Sequence, residues 1–67
     1  MLRVKLLSFN TGNEYIMDIK HDDSLENGLK KLNDFRGPDN QISCLLNEHK
    51  QVIPLNYRVK RNMTFYF

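Results

Sequence analysis

Leu2, Val4 and Leu6 alternate with Arg3 and Lys5 along Met1–Phe9. A period of two puts the two sets on opposite faces, so the segment reads as a half-buried strand. Asn10-Thr11-Gly12-Asn13 follows, a run of turn formers in which Gly12 and Asn13 both tolerate positive φ. Glu14–Lys20 alternates again, with Tyr15, Met17 and Ile19 opposite Ile16, Asp18 and Lys20. Two alternating runs joined by a short turn predict an N-terminal β-hairpin.

The period then changes. Leu25, Leu29, Leu32 and Phe35 recur at helical spacing and form one apolar stripe, with Lys30, Lys31, Asn33 and Asp34 facing away. Asp23 is the expected N-cap, with Glu26 three residues on as its capping-box partner. Gly28 borders the stripe and costs about 1 kcal/mol against alanine, so a close helix–sheet approach is expected there, with local fraying as the alternative. Gly37-Pro38 stops the helix, the glycine as the residue just past its end and the proline forbidding continuation.

Ile42–Leu46 is the third expected strand, Asn47–Lys50 a turn and Gln51–Ile53 a short fourth strand ended by Pro54, which has no N–H to donate. Leu55–Val59 reads as a loop or 3₁₀ turn whose Leu55 and Val59 plug the core, and Lys60–Asn62 turns into a last strand. That strand, Met63–Phe67, carries Met63, Phe65 and Phe67 on one face and Thr64 and Tyr66 on the other. A strand so aromatic needs partners on both sides and a covered face. The sequence breaks off inside it, which gives the expectation of a central strand, an excised domain, or both.

The predicted order β-β-α-β-β-β with one amphipathic helix is that of a two-layer α+β domain. Placing the last strand beside the first buries Phe65 and Phe67 under Leu29 and Leu32. In chain order of strands the sheet then runs 2-1-5-3-4, the β-grasp arrangement. Along its whole length the chain resembles a ubiquitin-like β-grasp domain: a strand from Met1, a short turn, Asp22-Asp23-Ser24 before the helix, and a short strand leading to the closing one. Leu45–Val59, with its strand, Asn47-to-Lys50 turn, short strand and loop, is similar to the TGS domains. Those domains stand at the N-terminus of threonyl-tRNA synthetases, in some GTPases and in stringent-response nucleotide synthetases, and a related module precedes the kinase domain of uridine-kinase-like proteins. The resemblance implies that residues 1–67 are a single β-grasp, TGS-like domain excised from a larger protein, whose catalysis lies in other domains. Ubiquitin-type modifiers and sulfur carriers use a Gly-Gly tail, and this sequence shows no glycine beyond Gly37, so neither conjugation nor sulfur carriage is expected.

Size and composition narrow the chemistry. At 67 residues the chain is one domain near the lower limit for folding without metal or disulfide, with no deep cleft expected. Hydrophobic content of 40% is too high for disorder. The single Cys44, inside the apolar run Ile42–Leu46, is expected to be a buried inert thiol in a reducing, cytoplasmic setting. No apolar run approaches the ~18 residues of a membrane span. A net charge of +2 neither demands nor excludes a nucleic-acid partner.

No reaction emerges from the side chains. His21 and His49 have no second histidine or cysteine at a metal-ligand spacing. Asp22 and Asp23 sit where capping carboxylates belong, Ser8, Ser24 and Ser43 lack a His–Asp arrangement, and there is no glycine-rich phosphate loop. The expectation is a chain that is not an enzyme and holds no cofactor or metal. Opposite the helix, the sheet is expected to expose Arg3, Lys5, Ile16, Lys20, Ser43, Leu45, Thr64 and Tyr66, with Tyr66 beside Arg3 and Lys5. The candidate interaction face is therefore Arg3, Lys5, Lys20 and Tyr66, suited to stacking a base or anchoring a protein. Arg58, Lys60 and Arg61 form a candidate basic turn for phosphate contact. The expected function is a non-catalytic interaction or regulatory module of a nucleotide- or RNA-handling protein. Its partner would be RNA, a nucleotide, or a catalytic domain of the same chain. The alternative is a stand-alone ubiquitin-like protein–protein interaction domain without conjugation activity.

Overall fold

A computed structural model describes residues Met1–Phe67. The N-terminal hairpin forms as the alternation predicts: β1 (Leu2–Leu7) pairs antiparallel with β2 (Glu14–Ile19), in register from Leu2↔Ile19 to Leu7↔Glu14. Gly12, at φ 74°, turns the chain, and its N–H donates to the Ser8 carbonyl at 3.0 Å. After β3 (Asp23–Ser24) comes the helix α1 (Leu25–Arg36), then a 3₁₀ turn over Pro38–Asn40. Four short strands complete the chain: β4 (Leu45–Leu46), β5 (Val52–Ile53), β6 (Arg58–Val59) and β7 (Met63–Tyr66).

One helix therefore packs on a mixed five-stranded sheet whose order is β2-β1-β7-β4-β5. β7 lies inside it, parallel to β1 (Val4↔Met63 to Leu7↔Tyr66) and antiparallel to β4 at Leu46↔Tyr66. Each strand contributes one face to the core. Val4 and Leu6, Met17 and Ile19, and Phe65 close against Leu25 and Leu29 of the helix, with Ile42, Leu45 and Val59 filling the remaining side. Gly28 sits where the helix meets β2, and a Cβ there would stand 2.7 Å from Ile19 Cδ1. Leu55 and Val59 plug the core as their spacing predicts, Val59 fully buried and Leu55 partly so.

Several local expectations give way to tertiary contacts. The capping box between Asp23 and Glu26 does not form. Ser24 is the N-cap and makes no side-chain bond. The N–H groups of Leu25 and Glu26 donate to the carbonyls of Tyr57 and Leu55 at 3.0 and 2.9 Å, so a distant loop satisfies helix-end amides that a side chain would otherwise take. That loop is also partly strand: β6 pairs with β3 in a two-stranded ladder, Asp23↔Val59 and Ser24↔Arg58. Phe35 does not extend the helix stripe. It is 87% exposed, because the core ends at Leu32 and Arg36 takes the next position, its guanidinium 4.4 Å from the Tyr15 ring centroid.

The expected strand Ile42–Leu46 shrinks to Leu45–Leu46. Asn33, expected to face away, donates its Nδ2–H to the Ile42 carbonyl (2.9 Å) and accepts the Ile42 N–H at Oδ1 (2.8 Å). The side-chain amide thereby does what a neighbouring strand would do for Ile42. Between Ile42 and Leu45, both buried, alternation is lost. Leu45 consequently faces the core and not the open face, Ser43 lies outside any strand, and Cys44 is an exposed free thiol, not a buried one.

Candidate functional site

Alternation in β1, β2 and β7 leaves Arg3, Lys5 and Leu7, Glu14, Ile16 and Asp18, and Thr64 and Tyr66 on the face away from the helix. The register arranges them in transverse rows. Ile16, Lys5 and Thr64 form one, and Glu14, Leu7, Tyr66, Leu46 and Val52 the next. The second row is apolar over four adjacent strands, with Val52 68% exposed at its end.

Phe9 extends this apolar patch one row further along the same face. Its N–H donates to the Phe67 carbonyl at 2.9 Å, and the Phe67 N–H donates to Leu7 at 3.0 Å, continuing the parallel ladder past the end of β7. Phe9 and Tyr66 stack, with centroids 5.0 Å apart and planes 16° from parallel. Lys50 reaches the same ring, its Nζ 5.1 Å from the Phe9 centroid. The Asn47–Lys50 turn aims that lysine: Asn47 Oδ1 accepts the N–H groups of His49 (2.8 Å) and Gln51 (3.0 Å), and Lys50 adopts φ 62°. An aromatic pair ringed by aliphatic side chains and topped by a cation can hold an apolar anchor and orient a polar group beside it.

The expected cluster of Tyr66 with Arg3 and Lys5 divides. Tyr66 is in register with Leu7; Lys5 is diagonal to it and turns toward Glu14, at 3.9 Å. Arg3 lies further along, where its N–H donates to Asn62 Oδ1 at 2.9 Å, and it lines a shallow groove with Lys5, Ile16 and Thr64. Lys20 stands past the end of β2, near Asp18, Asp23 and Lys31. In the basic turn, Arg58 Nη1 donates to the Asp22 carbonyl at 2.8 Å and Lys60 Nζ lies 4.0 Å from the Asp22 carboxylate, while Arg61 is exposed. Two of its three cations thus meet Asp22 at the surface, where its backbone sits at φ 67°.

Asp23 holds a structural position. Its Oδ1 accepts from Asn27 Nδ2 (2.7 Å) and from the Ser24 N–H (2.8 Å), and these bonds, Asn27's foremost, lower its carboxyl below the ordinary value. His49 and Glu48 meet at 3.5 Å on the exposed turn, and no three metal-ligating side chains gather anywhere. No helix is long and apolar enough to cross a membrane.

Phe9, Leu7, Leu46, Val52 and Lys50 were not singled out by sequence reasoning. The alternation of Met1–Phe9 already places Leu7 and Phe9 on the side of Arg3 and Lys5. Leu46, Val52 and Lys50 become visible only through the register across β7, β4 and β5. No protein-family model matches this chain, and no curated protein matches it either.

Proposed function

We propose that this chain is a non-catalytic, β-grasp interaction module of the TGS-like kind, and that it docks a protein surface on its open sheet face. The resemblance points to a domain of a nucleotide- or RNA-handling protein as that surface. The β-grasp reading is supported by the parallel pairing of β1 with β7 between β2 and β4, all on one helix.

The observation that carries the docking reading is the Phe9–Tyr66 stack set in the apolar row Leu7, Tyr66, Leu46 and Val52. Aromatic residues surrounded by aliphatic ones are where binding energy concentrates in protein interfaces. The face carries both signs of charge, Arg3, Lys5 and Lys50 against Glu14 and Asp18, which favours a protein over a phosphate backbone. The stack also leaves little for a nucleobase: Phe9 covers Tyr66, and Lys50 approaches Phe9.

A photo-crosslinking residue at Thr64 or Val52 identifies the bound partner, and the purified pair is then titrated. Phe9→Ala and Tyr66→Ala are each expected to weaken that binding by at least about 1 kcal/mol, with little change in salt dependence. The reading fails if the crosslinks go to RNA alone. It also fails if affinity depends on Arg58, Lys60 and Arg61 and falls steeply with salt while Phe9→Ala leaves it intact.

A further inference from the structure

We infer that the outer edge of β2 is a strand-addition site for an extended peptide that carries basic residues on either side of an apolar one. In an antiparallel pair, alternate residues aim both backbone groups at the partner strand. The bond from the Ser8 N–H to the Asn13 carbonyl sets that phase, so Tyr15, Met17 and Ile19 bond to β1 while Glu14, Ile16 and Asp18 turn theirs outward. β2 is terminal in the sheet, and nothing in the fold pairs with these groups. The opposite edge is protected in the usual manner: β5 is two residues long and runs into Pro54.

A groove for side chains runs beside the open edge. Between β2 and the second half of α1 it is lined by Met1, Tyr15, Ile16, Leu32 and Phe35. Phe35 is 87% exposed beside this groove, and Ile16, whose side chain lies on the open face at the same edge, is 50% exposed. An added strand would set alternate side chains in this groove and the others over Glu14, Ile16 and Asp18.

Charge selects the occupant. A second copy docked antiparallel about Ile16 would place Glu14 directly opposite Asp18 of its partner, a like-charge pair at each end of the seam. A strand with lysine or arginine at both positions and an aliphatic residue between them complements the same three residues. The edge thus discourages pairing with itself and accepts a basic–apolar–basic segment. This inference concerns the backbone edge of β2; Glu14, Ile16 and Asp18 also border the docking face described above, but the edge is tested by its own readout at the β2 amides.

The probe is a blocked peptide of sequence Ser-Lys-Val-Val-Val-Lys-Ser, titrated into ¹⁵N-labelled protein. Saturable shifts are expected along β2, with slowed hydrogen exchange at the Ile16 and Asp18 amides as they become donors. The same peptide with glutamates for lysines should bind about fivefold more weakly, from two reversed cross-strand charge pairs. Glu14→Lys with Asp18→Lys should invert that preference, and Phe35→Ser, at an exposed position, should weaken both peptides without unfolding the domain. Shifts confined to Leu7, Leu46 and Tyr66 would overturn the inference, as would no saturable shift at millimolar peptide. Shifts at β2 that grow with protein concentration alone would assign the edge to a second copy and overturn it too.

Discussion

Gly28→Ala tests the helix–sheet contact because local and tertiary effects oppose each other there. Replacing a glycine inside a helix gains about 1 kcal/mol from propensity alone. The added Cβ, however, would stand 2.7 Å from both Cδ1 and Cγ1 of Ile19, and 3.6 Å from Met17 Sδ. Carbon pairs rest at ~3.5–4.0 Å, so the methyl would intrude by roughly 1 Å. Ile19 is only 2% exposed and is held on β2 opposite Leu2, so it cannot swing away freely. Overpacking of this kind costs about 1–3 kcal/mol. Set against the propensity gain, the net expectation is a loss of about 1 kcal/mol, where the sequence alone predicts a gain of that size. Urea unfolding followed by far-UV circular dichroism measures the difference. For a small domain at the low end of ~5–15 kcal/mol, a gap of about 2 kcal/mol between the two expectations exceeds the extrapolation error. Ile19→Val removes Cδ1 and leaves a Cγ, so Gly28→Ala should cost less in that background. A stabilised Gly28→Ala variant would refute the close approach.

Asn33→Ala removes both hydrogen bonds to the Ile42 backbone and should destabilise by about 1–3 kcal/mol, read from the denaturant midpoint. A loss under ~0.5 kcal/mol, typical of an indifferent surface position, would show that water replaces the amide. Asp23→Asn tests the lowered carboxyl. Because the folded-state pKa lies below the unfolded one, the carboxylate's contribution is present above the unfolded value and lost as pH falls through the folded value. Thermal melts of the two proteins should differ at neutral pH and converge in acid, and a pH-independent gap would contradict the assignment.

The hairpin, the helix and the division of β1, β2 and β7 into two faces were legible because each follows from a period of two or of 3.6 residues within one segment. The buried sets Val4 and Leu6, Met17 and Ile19, and Leu25 and Leu29 are those the pattern picks out. Misplacements arose where a partner from elsewhere intervened. Asn33 took over Ile42, and Leu45 was drawn inward with it. Arg36 held the end of the core in place of Phe35, and the Leu55–Tyr57 backbone capped the helix in place of Asp23. The candidate face was legible as a face and not as a cluster. Tyr66 does lie on it, yet beside Leu7 and Phe9, with Arg3 further along the same face and Lys20 past the end of β2.

The sequence by itself determined an α+β domain with one amphipathic helix, a hairpin before it and an aromatic strand at the end. Those features need only the periodicity of neighbouring residues and the turn chemistry of Gly12 and Gly37-Pro38. The tertiary structure alone decided which residues meet: the register of Tyr66 against Leu7 and Leu46, the stack on Phe9, the reach of Lys50, and the unpaired edge of β2. Contacts such as the Arg3 N–H to Asn62, 59 residues apart, are chosen by the sum of packing and backbone pairing over the whole sheet. A one-residue slip would turn every side chain to the other face, so that choice is sharp in the folded molecule and invisible in any single segment.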